Sequence, residues 1–303
     1  MTFDFEVWRA ASLVQVEQTL DRLIDAHSPA NLGEAMRYGA LGGGKRLRAL
    51  LVLAASEAVS GNFDAALRAA CAVEMIHAYS LIHDDMPCMD NDVLRRGKPT
   101  VHVAYGEAQA LLAGDALQAL AFEILTPDKD EIPSAVQAKL CRLLARASGS
   151  EGMAGGQAID LASVGKSLTE SELRRMHELK TGALLKASVE MGAACHVQNG
   201  TRASHMPYGL QASLAAYGAA VGLAFQVVDD ILDVTADEAT LGKTAGKDAA
   251  QNKPTYVALM GLEAAETYAN ELLEKALVAL DACGLEADAA LRELAIRLVR
   301  RQS

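Results

Sequence analysis

The chain has 303 residues, of which 51% are hydrophobic and only 4% aromatic, and it carries a formal net charge of −11 with a pI near 5.1. Such a length can bury a large core, and the acidic balance excludes general nucleic-acid binding, so an anionic ligand needs a local basic patch. Five scattered cysteines, Cys71, Cys88, Cys141, Cys195 and Cys283, contain no CxxC pair, which suits reduced thiols and offers no zinc site.

Ala and Leu dominate and strand-type alternation is hard to find, so helices are expected. The acids of Met1-Thr2-Phe3-Asp4-Phe5-Glu6 stand where a signal peptide needs positive charge, and a cytoplasmic location is expected. Helices are predicted over 10–27 and 30–41, separated by Ser28-Pro29, and over 45–59 after the turn Gly42-Gly43-Gly44. That turn lets backbone N–H groups approach an anion, and Lys45 and Arg48, three apart, share a face of the helix it starts.

The next predicted helix, 63–85, runs into Asp84-Asp85-Met86-Pro87-Cys88-Met89-Asp90. Pro87 disfavours helical geometry at Met86, so the chain leaves the helix there and carries Asp90 back toward Asp84. His77 lies two turns before Asp84 on the same face, and Leu94-Arg95-Arg96-Gly97-Lys98-Pro99-Thr100 follows. Helices are predicted over 102–125, 133–148 and 169–198, the last containing Leu179-Lys180-Thr181-Gly182. From Ala203 to Val228 there is no Asp, Glu, Lys or Arg, and more than ~20 such residues invite a membrane span. His205, Gln211, Ser213 and Gln226 make the stretch too polar for that, and a helix buried on all sides is expected. It belongs to helix 208–235, which ends in Asp229-Asp230-Ile231-Leu232-Asp233. Asp229 and Asp233 are four apart, so their carboxylates leave one face with about 5–6 Å between Cβ atoms, and Gln226 joins them. Gly242-Lys243-Thr244 and Lys253-Pro254 come next, then helices over 254–262, 264–282 and 286–301.

Carboxylates packed beside apolar helices are costly unless compensated, and oxygen-only clusters suit a hard divalent ion such as Mg²⁺. Acids that bind metal and cations that bind phosphate recur in tandem, which implies two polyphosphate sites. Short connections and no Ser/Gly-rich linker predict a single all-α domain over 1–303, a helical bundle with a central active-site cavity.

The set Gly44-Lys45-x-x-Arg48, His77, Asp84-Asp85-x-x-x-x-Asp90, Arg95-Arg96-Gly97, Lys180-Thr181 and Gln226-x-x-Asp229-Asp230-x-x-Asp233 resembles the trans-prenyltransferases, the isoprenyl diphosphate synthases. The resemblance spans essentially the whole chain, is nearest to bacterial members, and extends to Leu111-Leu112-Ala113-Gly114-Asp115 and Gly155-Gly156-Gln157-Ala158-Ile159-Asp160. One departure is Val93, where relatives often carry Asp. The resemblance implies three Mg²⁺ ions held principally by Asp84, Asp90 and Asp229, with Asp85, Asp230 and Asp233 acting directly or through water. Arg95, Lys180 and Lys243 would hold the diphosphate of an allylic substrate. Gly44, Lys45, Arg48, His77 and Arg96 would hold that of isopentenyl diphosphate, with Arg300-Arg301 closing over it. The carbonyls of Lys180 and Thr181 and the side chain of Gln226 would face the carbocation in a dry pocket.

Product length is expected to depend on Tyr79, about 7.5 Å of helix rise before Asp84. An aromatic there followed by a small residue, here Ser80, goes with a C15 product in similar relatives, which implies farnesyl diphosphate. The rivals are a C20 geranylgeranyl diphosphate synthase, a terpene cyclase and a non-catalytic synthase subunit. The resemblance also implies a homodimer, with no nucleic-acid or membrane partner.

Overall fold

The computed structural model describes residues 3–128, 132–166, 168–196, 206–235 and 255–301. Helix α1 (Phe5–Leu23) starts where the Asp4 carboxylate accepts from the Glu6 and Val7 N–H groups, as N-cap residues do. Then come α2 (Leu32–Ala40), α3 (Leu47–Ala58) and α4 (Phe63–Asp84), the last capped by Asn62. A two-residue hairpin, β1 (Leu94–Arg95) against β2 (Lys98–Pro99), leads into α5 (Val101–Tyr105) and α6 (Glu107–Glu123). The chain continues through α7 (Ser134–Ser148), α8 (Met153–Ser163) and α9 (Glu170–His177). A π turn over Glu178–Gly182 joins α9 to α10 (Ala183–Ala194). The last elements are α11 (Tyr208–Thr235), α12 (Tyr256–Met260), α13 (Leu262–Asp281) and α14 (Ala289–Val299). The architecture is all-α, as the sequence predicts.

Helices α3 and α10 form the spine because both are apolar on opposite faces. Val52 and Leu53 of α3 and Leu184 and Met191 of α10 join one cluster built around α4, α6 and α7. Leu50, Leu51 and Ala54, with Leu185 and Val189, join a second built around α11, α13 and α14. Small residues let these helices approach: a Cβ at Gly192 would stand 2.2 Å from the Val52 carbonyl. Helices α4 and α11 are long and apolar enough to cross a membrane, yet they supply the centres of the two clusters; α11 is not buried on all sides as expected, since Ala212, Ala216 and Ala219 are exposed.

Five elements differ from expectation. Helix α1 spans Phe5–Leu23 and not 10–27, because Asp4 caps it. Helix α8 falls in a stretch with no predicted helix. The helix expected over 102–125 is broken at Gly106, whose φ of 87° no L-residue adopts cheaply. The helix expected over 169–198 contains the π turn. The hairpin turns on Arg96 and Gly97, both at positive φ, the geometry that matches strand twist in a two-residue turn.

Candidate active site

The C-terminus of α4 carries the first acid cluster. The Asp90 N–H donates to the Asp84 carbonyl at 2.8 Å, so the loop after Pro87 folds back as the proline implies. Burial pushes the Asp84 carboxyl up to about 6, with Asp90 and Asp85 adding to the rise and Lys180 opposing it. Asp85 is buried and turned onto the hairpin: Arg95 donates to it from Nε at 2.8 and 3.0 Å and from Nη2 at 2.6 Å. Burial raises the Asp85 pKa in spite of that pairing. Arg95, expected on an allylic diphosphate, is thus engaged with a residue expected on a metal.

Arg96, the next residue, points the other way and donates to the Gly43 carbonyl. Gly44 has φ 126°, and a Cβ there would meet the Arg96 guanidinium at 3.0 Å, so glycine is needed for both conformation and space. Gly44, Lys45, Arg48, His77 and Arg96 line one cavity of about 640 Å³, with Arg46, Phe225 and Arg301 also on its wall. Burial lowers the Arg48 pKa, and its Nε has no hydrogen-bond partner. Burial also holds His77 well below the ordinary imidazole value, helped by Arg48, Arg96 and Arg95. The imidazole is therefore neutral and adds a hydrogen bond without another charge.

The π turn is seated by two glycines. A Cβ on Gly156 of α8 would stand 2.1 Å from the Lys180 backbone nitrogen, and one on Gly222 of α11 would stand 3.0 Å from Gly182 Cα. The π turn therefore lies pressed against α8 at Lys180 and against α11 at Gly182, and Gln226 follows one turn after Gly222 on α11. Lys180 Nζ donates to Asp160 at 2.6 Å. Burial works against its charge, but Asp160, Asp84 and Asp90 outweigh burial and hold its pKa above the ordinary value. In the sequence Asp160 is only the last residue of Gly155-Gly156-Gln157-Ala158-Ile159-Asp160; its place as partner to Lys180 needs the fold.

The second cluster is divided among several partners. Arg301 pairs with Asp229 and lies over the Phe225 ring at 4.6 Å, while Arg300 is exposed. Only Arg301 of the expected pair reaches the cavity. Asp230 is buried and accepts from the Tyr256 N–H at 2.8 Å, so it anchors the start of α12. Asp233 is buried one turn further along. Lys243 lies outside the described residues.

Among the described residues no three His, Cys, Asp or Glu side chains stand ready to hold one metal ion. The donor chemistry nevertheless fits a hard divalent ion. Asp84 is an oxygen donor made basic by burial, with the Asp90 charge close enough to raise it further, and an added cation relieves that repulsion.

His177 lies beside the site, stacked on Tyr256 with 5.6 Å between ring centroids, and its buried Nε2 has no hydrogen-bond partner. Burial lowers its pKa to about 4. The unfolded chain takes up this proton first, near pH 6.5, so stability falls as pH drops through the window from about 6.5 to about 4. The expected loss is about 3 kcal/mol. His177→Phe, which keeps the stacked ring, is expected to flatten that dependence by one proton, read from urea midpoints at pH 7, 5.5 and 4.5.

The model of the family described as Polyprenyl synthetase matches residues 29–294. A probable farnesyl diphosphate synthase of Sinorhizobium fredii is 49% identical over 93% of this chain and 84% of its own. A chloroplastic geranylgeranyl pyrophosphate synthase of Capsicum annuum is 47% identical over 90% of this chain and 72% of its own. The crystal structure of an FPP/GFPP synthase from Zymomonas mobilis superposes with a TM-score of 0.82 at 41% identity, covering 97% of this chain and 98% of that one. Relatives named for C15 and C20 products match nearly equally, so product length has to be read from the pocket.

Proposed function

As this chain belongs to the polyprenyl synthetase family and is a prenyltransferase, we propose that it condenses isopentenyl diphosphate with dimethylallyl and then geranyl diphosphate to give farnesyl diphosphate. The observation that carries this reading is the cavity lined by Gly44, Lys45, Arg48, His77 and Arg96. Three fixed cations and a neutral imidazole around one void suit a diphosphate, and a terpene cyclase has no need of a second such site.

The allylic C–O bond breaks with its electron pair leaving on diphosphate. The isopentenyl double bond attacks the allylic carbon, and a proton then leaves the adduct. Asp84, Asp90 and Asp229 would be the principal holders of Mg²⁺, with Asp85, Asp230 and Asp233 acting directly or through water, and the ion when bound would supply positive charge for the leaving group. Lys180, kept charged by Asp160, adds a fixed cation to that side. Lys243 completes the allylic set in this reading. The carbonyls of Lys180 and Thr181 belong to a π turn, an element that recurs at functional sites. They offer the carbocation dipoles without a nucleophile, and Gln226 offers a third. No side chain is required as base, since the departing diphosphate can take the proton.

Tyr79 sets the C15 limit in this reading. It is half-buried on α4 and packs against the cluster around that helix, and the charge of Asp84 reaches it. Ser80 spends its hydroxyl on the His77 carbonyl at 2.8 Å, which leaves little polarity for a tail to meet. With Mg²⁺, isopentenyl diphosphate and a series of allylic primers, the dephosphorylated product is expected to end at C15, to vanish with EDTA, and to lengthen to C20 or beyond in Tyr79→Ala. A wild-type product of C20 keeps prenyl transfer and removes the floor. Cyclised hydrocarbon formed without isopentenyl consumption assigns the chain to the lyases.

A further inference from the structure

Tyr79 does not stand alone on α4. One turn later His83 presents its ring edge-on to Tyr79, with centroids 5.7 Å apart and planes at 74°, the preferred arrangement for such pairs. His83 Nε2 lies 3.0 Å from the Leu111 carbonyl on α6. A carbonyl only accepts, so Nε2 carries the proton and donates. The imidazole reaches that carbonyl through a notch: a Cβ on Gly114 would stand 2.1 Å from Nε2 and 2.6 Å from Cδ2. Gly114 sits inside α6 with ordinary helical backbone, where glycine is a poor helix former. Its absent side chain is therefore a matter of space for His83, not of conformation. Gln118 stands further along α6, near enough to the Tyr79 hydroxyl to oppose the rise that burial gives its pKa. Leu111, Gly114 and Gln118 fall at i, i+3 and i+7, one stripe of α6 facing the two rings.

We infer that His83, seated in the Gly114 notch and fixed by the Leu111 carbonyl, is a positioning residue that holds the Tyr79 ring in place and thereby sets where chain elongation stops. The inference rests on the reading of Tyr79 as the floor of the tail pocket. Without a neighbour at its edge, the Tyr79 ring can still turn about χ1 and χ2, since both rotamers of a helical aromatic are open to it. The imidazole edge removes that freedom. His83 is adjacent to Asp84 in sequence, but its hydrogen bond faces away to α6, so its contribution is to shape and not to charge.

The test is the C20:C15 product ratio from dimethylallyl diphosphate, Mg²⁺ and excess isopentenyl diphosphate, an internal ratio that loss of active enzyme does not move. His83→Ala and Gly114→Ala are each expected to raise it about tenfold, the worth of one aromatic contact. Gly114→Ala displaces the imidazole without removing it and improves the helix, so it serves if His83→Ala folds poorly. Gly114→Ala added to His83→Ala is expected to change nothing further, and His83→Ala added to Tyr79→Ala likewise. If Tyr79→Ala lengthens the product while His83→Ala and Gly114→Ala both stop at C15, the role of His83 is overturned and the floor stands. If Tyr79→Ala itself stops at C15, the floor fails and the inference goes with it.

Discussion

Asp84→Asn is expected to lower kcat/KM about 10³-fold, the loss typical of removing one group that stabilises developing charge, while the melting temperature of the metal-free protein rises. The two effects have one cause. Burial pushes the Asp84 carboxyl from its ordinary value up to about 6, so the folded protein holds this proton more tightly than the unfolded chain. Stability is then highest below the unfolded pKa and is lost as pH rises through about 6. At pH 7 the site is ionised and strained by up to about 3 kcal/mol before screening, and Asp84 is only partly buried, so about 1 kcal/mol is a fairer figure. An isosteric amide removes that cost, and the melting temperature should rise by about 2 °C. Added Mg²⁺ is expected to stabilise the wild type more than the variant, which keeps the second acid cluster. The wild-type rate should also fall as pH drops below about 6, where a proton competes with the ion for the carboxylate. Calorimetry with and without Mg²⁺, beside steady-state rates, checks all three; a variant that loses both rate and melting temperature contradicts the account.

Arg46→Ala is expected to destabilise the fold by about 3–5 kcal/mol, because it leaves a buried carboxylate without its counter-charge. Arg46 donates from Nε to Glu17 at 2.7 Å, from Nη1 to Glu74 at 3.1 Å and from Nη2 to the Ala40 carbonyl at 2.7 Å. Its side chain is 5% exposed and that of Glu74 3%. Burial disfavours the guanidinium charge, yet the bonds to Glu17 and Glu74 outweigh it and raise its pKa. Glu74 also accepts from the Ala49 N–H at 3.1 Å, fastening the first turn of α3 to the middle of α4. The melting temperature should fall by about 10 °C, with part recovered in Arg46→Ala/Glu74→Gln, where no charge is stranded. Since Lys45 and Arg48 flank this anchor, KM for isopentenyl diphosphate should rise even in the rescued double variant. Equal melting temperatures for wild type and Arg46→Ala would show that the triad contributes nothing.

Arg46 also shows where sequence reading stops. In the string Lys45-Arg46-Leu47-Arg48 it is one cation among three, but its φ of 47° turns it inward to Glu74 and away from the role of its neighbours. Helix boundaries near Gly42-Gly43-Gly44 and Pro87 are legible within two residues, because local chemistry sets them: a glycine turn and a proline. Gly44, Lys45, Arg48, His77 and Arg96 stand out in the sequence as motifs, and the fold brings all five to the wall of one cavity. Helix α8 was not legible, since Gly155-Gly156 reads as a helix breaker. Gly156 is instead the place where a helix touches the Lys180 backbone, a reason held in another part of the chain. The partners of Asp85 and Asp229 were hidden for the same reason: Arg95 needs the hairpin turn to reach Asp85, and Arg301 lies 72 residues from Asp229.

Both acid clusters stand near the C-terminal ends of their helices, Asp84 as the last residue of α4 and Asp229 to Asp233 in the closing turns of α11. Peptide dipoles along a helix sum to roughly half a negative charge at that end. Two helices, 22 and 28 residues long, thus add about one further electron charge to the carboxylates, contributed by backbone that no side-chain substitution removes. The negative field at these helix ends should therefore outlast the loss of any single aspartate and weaken with ionic strength, so that the helices share with the carboxylates in any salt dependence of divalent-ion uptake.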